Sequence, residues 1–190
     1  MNDFSKLEDK KYLLVGRYVV EFEHLVNSMR AFSRAVILIS SDGNPNIDVA
    51  NSVVVDLGAY QMACMAERLF FSFFKSVKFS RETKKAITNL FNQIKSVIEK
   101  RNLYVHGLWL IDKHYAQSAD ENNITYMKDK KKRDGVEIIS EEINLGNFNI
   151  MIDECKYLAN QITVISKIIC ERIPIHKKAE SIEEQYVGQL

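Results

Sequence analysis

Apolar residues recur along most of this chain at steps of three and four, the spacing that lines one face of a helix. From about Asp9 to Ser40, Leu14, Tyr18, Leu25, Phe32 and Ile39 share a face, with Tyr12, Val15, Val19, Phe22, Val26 and Met29 beside it. The turn formers of the SSDGNPN segment, Ser40 to Asn46, stop that pattern. A second helix is expected from about Ile47 to Val77, with two apolar stripes. One holds Val53, Leu57, Tyr60, Cys64, Glu67, Phe71 and Phe74; the other holds Val55, Met62, Ala66, Leu69 and Phe73. Two stripes predict a central helix buried on most sides. Phe70, Phe71, Phe73 and Phe74 cannot all share one face, which reads as core plus a seam against another subunit.

Ser80 is placed to cap a third helix, with Glu82 in its first turn. Its stripe is Ile87, Leu90, Phe91, Ile94, Val97, Ile98, Arg101 and Val105, and Gly107 is a natural stop. The period then changes to that of strands. Trp109, Ile111 and Tyr115, then Ile124 to Met127, then Val136, Ile138 and Ile139 predict a three-stranded meander over about Leu108 to Ser140. Asp134-Gly135 signals a tight hairpin between the last two strands. A final helix is expected from about Asn147 to Arg172, with Phe148, Met151, Cys155, Leu158, Ile162, Ile165 and Ile169 inward. Pro174 ends it, and the polar tail from Ile175 to Leu190 reads as loose.

The predicted fold is therefore mainly all-α: an antiparallel four-helix bundle with a small three-stranded antiparallel β insertion between the third and fourth helices. No repeat or low-complexity linker divides the chain, so residues 1–190 read as a single domain.

Composition narrows the partners. The formal net charge is +1, so no global field favours nucleic acid or membrane, and such a partner would have to meet a local patch. Cys64, Cys155 and Cys170 form no CxxC pair and read as reduced core thiols. The charged N-terminus lacks the apolar region of a signal peptide, and no apolar run is long enough to span a bilayer. A cytoplasmic protein with no membrane partner is expected. His24, His114 and His176 are scattered, with no HExxH, glycine-rich phosphate loop or GxSxG elbow, so neither metal nor cofactor is expected.

Two charges break the amphipathic pattern: Glu67 in the stripe of the second helix and Arg101 in that of the third. Burying either alone costs several kcal/mol, roughly, so each requires a partner. They staple two helices by pairing with each other, or they line a polar hole or dimer seam kept for function. The segment EKRNLYVHGLW, Glu99 to Trp109, bears on the second reading. Asn102 and His106 are four residues apart, hence neighbours on one helix face, and Arg101 lies next to that face. Guanidinium can hold a phosphate by two parallel hydrogen bonds, and imidazole can exchange protons near neutral pH. Those are the groups that phosphodiester cleavage needs without a metal. The simpler account of His106 is a cap favoured by the helix dipole.

Arg101-Asn102-Leu103-Tyr104-Val105-His106 resembles the signature of the HEPN superfamily, an arginine and a polar residue followed by a histidine. Gly107-Leu108-Trp109 is similar to the HGxW continuation of many bacterial members. The resemblance implies a metal-independent endoribonuclease that acts as a homodimer, two copies of the motif meeting in one cleft. It implies Arg101 holding the scissile phosphate, Asn102 supporting it, and His106 as general acid or base while the 2′-hydroxyl attacks. It also implies a toxin or phage-defence role with an antitoxin or regulatory partner; other members are inactive binding modules. The toxins whose antitoxin modifies a tyrosine two residues after the histidine differ here, since Leu108 stands there. Glu67 is outside the motif; its expected support of Arg101 comes only from the helical stripes.

The run Lys128-Asp129-Lys130-Lys131-Lys132-Arg133 sits at the expected hairpin tip. It reads either as a solvated loop that discourages edge pairing or as a contact for RNA phosphates, through Lys130, Lys131, Lys132 and Arg133, with Tyr115 and Tyr126 nearby for stacking. Three functional classes follow: a nuclease, a non-catalytic HEPN-like module binding nucleotide, nucleic acid or protein, and a structural helical dimer with a buried Glu67–Arg101 bridge.

Overall fold

The computed structural model describes residues 3–41, 46–105, 108–111, 122–132, 135–171 and 173–187. The chain is mainly helical with a small antiparallel sheet. In chain order the elements are α1 (Asp3–Ser40), α2 (Ile47–Val55), α3 (Ala59–Phe73), α4 (Arg81–Val105), β1 (Leu108–Leu110), β2 (Asn123–Lys132), β3 (Gly135–Asn144), α5 (Leu145–Cys170) and α6 (Ile175–Val187). Among the described residues no helix is long and apolar enough to cross a membrane.

The chain divides into two compact units, one built from Met1–Glu23 and Glu99–Cys155, the other from His24–Ile98 and Lys156–Leu190. The divisions fall within α1, α4 and α5, so each of these helices contributes to both units.

The first unit contains the sheet. β2 pairs antiparallel with β3 without interruption, from Asn123 opposite Asn144 to Lys132 opposite Gly135. The short β1 pairs with the base of β2, Trp109 lying opposite Tyr126. Strand alternation puts Ile124 and Tyr126 on one face, and both are buried, with Ile143 opposite Ile124. Leu14, Tyr18 and Phe22 of α1 and Phe148 and Ile152 of α5 complete the apolar interior of this unit. Two outcomes differ from expectation. The basic run from Lys128 to Lys132 belongs to β2 rather than to a tip loop, and β3 continues past Ser140 to Asn144 and directly into α5. The hairpin is longer because the backbone of β2 finds partners along the whole of β3, from Asn123 opposite Asn144 to Lys132 opposite Gly135.

The second unit is helical. The single helix expected over Ile47–Val77 is two, α2 and α3, broken at Asp56–Gly58. Asn46 caps α2, its Oδ1 accepting from the Val49 N–H at 3.0 Å, while the Gly58 N–H donates to Gln61 Oε1 at 3.2 Å at the start of α3. The break resets the helical phase. Ala50 and Val54 are the buried residues of α2, and Val53, placed in the expected stripe, is exposed. In α3 the buried line is Met62, Ala66 and Phe70, continuing to Phe74. Phe70, Phe74 and Phe79 cluster with ring centroids 5.1–5.8 Å apart, so Phe70 and Phe74 are core residues rather than a seam.

Ser80 caps α4, its Oγ accepting from the Thr83 N–H at 3.0 Å, and its own N–H donates to Glu183 Oε1 of α6 at 2.7 Å. That contact belongs to the segment expected to be a loose tail. Residues 175–187 form α6 instead, burying Ala179, Ile182 and Tyr186. Lys178 is buried with them; its Nζ donates to the Ile169 carbonyl near the end of α5 and lies 5.6 Å from the centre of the Phe73 ring. A buried ammonium is tolerable there because an otherwise unpaired helix-end carbonyl and an aromatic face both attract it.

Candidate functional site

Arg101 lies near the C-terminal end of α4, in the first unit, and its head meets α1. The guanidinium carbon lies 5.0 Å from the centre of the Phe22 ring, a cation–π distance. Nη1 donates to Asn102 Oδ1 at 3.3 Å, and Nη2 is 3.8 Å from Glu23 Oε1, close enough for charge attraction but not for a hydrogen bond. The Nε–H is buried with no hydrogen-bond partner among the described residues. Arginine carries five N–H donors and no acceptor, so this guanidinium has donors beyond those that Asn102 and Glu23 engage, and an anion is the partner suited to them.

One turn before Phe22 on α1, Tyr18 is 1% exposed, its ring edge-on to Phe148 at 6.1 Å. Its hydroxyl also has no partner among the described residues. Burial raises the Tyr18 pKa well above the usual phenol range; Cys155 and Tyr104 push it further, and Arg101 pulls it back. Cys155 is fully buried in the same unit, and burial, aided by Glu154 and Glu21, pushes its thiol up to about 12. Lys100 lies 3.5 Å from Glu154.

The sheet is tied to this end of α4. The Tyr126 hydroxyl donates to the Leu103 carbonyl, satisfying one of the acceptors that a helix leaves open in its last turn. The Tyr104 ring meets Tyr126 edge-on at 5.7 Å. Burial, reinforced by Glu141, raises the pKa of both phenols.

The expected site residues are distributed as follows. Arg101 and Asn102 are together and hydrogen-bonded. His106 and Arg133 lie outside the described residues. Lys130, Lys131 and Lys132 are placed along β2, where their backbone positions pair with Glu137, Val136 and Gly135. Glu67 is not the partner expected for Arg101. Its Oε2 is 2.6 Å from Lys95 Nζ, a pair in which both side chains are 20% exposed. Lys95 on the next helix binds one oxygen of this carboxylate, while the residues beside Arg101 are Phe22, Glu23 and Asn102. Phe22 was legible only as a core position, and Glu23 carried no sequence signal, because its relation to Arg101 exists only once α1 and α4 are folded. Among the described residues no group of three or more histidine, cysteine, aspartate or glutamate side chains could hold a metal ion.

No family model, no curated protein and no solved structure matches this chain.

Proposed function

We propose that this protein is a metal-independent endoribonuclease of HEPN type. The observation that carries the reading is Arg101: a half-buried guanidinium held over Phe22 and beside Asn102, five residues ahead of His106 in the chain. A phosphodiester supplies the acceptors that this cation lacks. In the proposed reaction the RNA 2′-oxygen forms a bond to phosphorus while the bond to the leaving 5′-oxygen breaks. Arg101, supported by Asn102, stabilises charge on the phosphoryl oxygens, and His106 takes the 2′-hydroxyl proton or gives one to the 5′-oxygen. A homodimer puts two copies of the motif in one cleft, and an antiparallel four-helix bundle is the architecture that goes with it. The positive β2 positions Lys130, Lys131 and Lys132, with Arg133, add contacts to neighbouring phosphates. A toxin or phage-defence role in the cytoplasm, restrained by a partner protein, belongs to the same resemblance.

A second reading keeps the anion grip and omits cleavage, since the Arg101 arrangement by itself supports binding. Incubation of the purified protein with cellular RNA in excess EDTA, beside the His106→Ala variant, separates the two. Cleavage by the wild type alone, leaving 2′,3′-cyclic phosphate ends, is the expected result. RNA bound but uncut by both proteins moves the assignment to a binding module. Equal cleavage by both identifies a contaminant and removes the nuclease reading.

A further inference from the structure

The cation and the carboxylate at this site are held very differently. Arg101 is fixed: its side chain is 21% exposed, it lies over the Phe22 ring, and it bonds Asn102. Glu23 is loose: its side chain is 46% exposed, and it approaches one guanidinium nitrogen at 3.8 Å rather than closing the two-pronged hydrogen-bonded fork that arginine and carboxylate favour. It also leaves the buried Nε unpaired. Glu154, the neighbouring carboxylate on α5, is close to Lys100 instead. Glu23 thus neutralises a partly desolvated charge without binding it tightly, and among the described residues its side chain has no second hydrogen bond or ion pair.

We propose that Glu23 is an internal stand-in for the phosphate and a specificity-determining residue of this site: an incoming RNA phosphodiester displaces it from Arg101. This rests on the proposed phosphate-binding role of Arg101. The displacement makes a single weak anion a poor ligand, because it must replace a carboxylate already in place. A polyanionic strand succeeds because its other phosphates contribute binding elsewhere.

The test uses the full-length protein and a fluorescent, fully 2′-O-methylated RNA oligonucleotide, which binds but cannot be cut. Glu23→Gln keeps the shape and removes the competing charge, and its affinity is expected to rise about two- to fivefold, the range for an exposed ion pair. The same substitution in an Arg101→Met background, where the apolar stem over Phe22 is kept, is expected to give no gain. A gain that persists without Arg101 reflects general charge removal and overturns the proposal, as does a Glu23→Gln protein that binds equally or more weakly. Either result leaves the Arg101 reading standing if Arg101→Met alone weakens binding. Absence of binding by every variant, with all of them folded by circular dichroism, overturns that reading and this proposal together.

Discussion

Lys95 Nζ and Glu67 Oε2 are 2.6 Å apart, joining α4 to α3 in the second unit through a pair that is four-fifths shielded from solvent. The hydrogen bond that Lys95 donates to Glu67 raises the Lys95 pKa, burial pulls it down, and the Glu67 charge adds to the rise. The net direction is upward.

That direction fixes a pH dependence. A lysine whose pKa is raised on folding contributes stability that is complete below its ordinary value, 10.5, and is lost as pH climbs through the folded value. Lys95→Met is expected to reduce stability by about 1–2 kcal/mol near neutral pH, between the values for exposed and buried pairs. The difference from wild type should shrink in urea titrations repeated above pH 10.5. A difference independent of pH would assign the effect to packing of the side-chain stem.

Tyr18 offers the opposite case. Its hydroxyl is buried and finds no acceptor among the described residues, so its removal gives up no hydrogen bond there and relieves a desolvated polar group. Tyr18→Phe is expected to leave stability unchanged or to increase it by about 1 kcal/mol. Thermal unfolding measures this directly. A loss of more than about 1 kcal/mol would mean that the hydroxyl has a partner in the folded chain.

The three thiols should separate by reactivity. Cys170 is exposed, Cys64 half-buried and Cys155 buried, with its pKa pushed up to about 12. The nucleophile is the thiolate, so near pH 8 Cys155 is both sealed and protonated. Titration of the native protein with a chromogenic disulfide is expected to modify Cys170 first and Cys64 more slowly. Cys155 should react only after denaturation. Its rapid modification in the native protein would show that the first unit opens readily.

The helices whose stripes were regular were legible in the chain. Phe148, Met151, Cys155, Leu158, Ile162, Ile165 and Ile169 face inward on α5, as their spacing requires, and Ser80 begins α4. The break between α2 and α3 was not, because the apolar pattern runs on through Val53–Val55 and a stripe carries no mark of a phase reset. α6 was hidden by composition. Ile175, Ala179, Ile182 and Tyr186 do follow helical spacing, but charged residues between them made the segment read as tail. At the site, the two misplaced charges, Glu67 and Arg101, were visible as exceptions, and Asn102 as a neighbour. Their partners were not, since which carboxylate meets which cation depends on how helices pair. The stripes matched Glu67 with Arg101; folding gives Glu67 to Lys95 and sets Glu23 beside Arg101.

The division of the chain also orders its synthesis. Every residue of the first unit has been added by Cys155, whereas the second still awaits Lys156–Leu190. While those residues are being made on the ribosome, Ser80 at the start of α4 lacks the Glu183 carboxylate that receives its N–H, and Phe73 of α3 lacks the Lys178 ammonium. A chain that ends near Cys155 therefore holds every residue of the sheet-bearing unit and lacks the last segment of the helical one, so only the first has its full complement of partners.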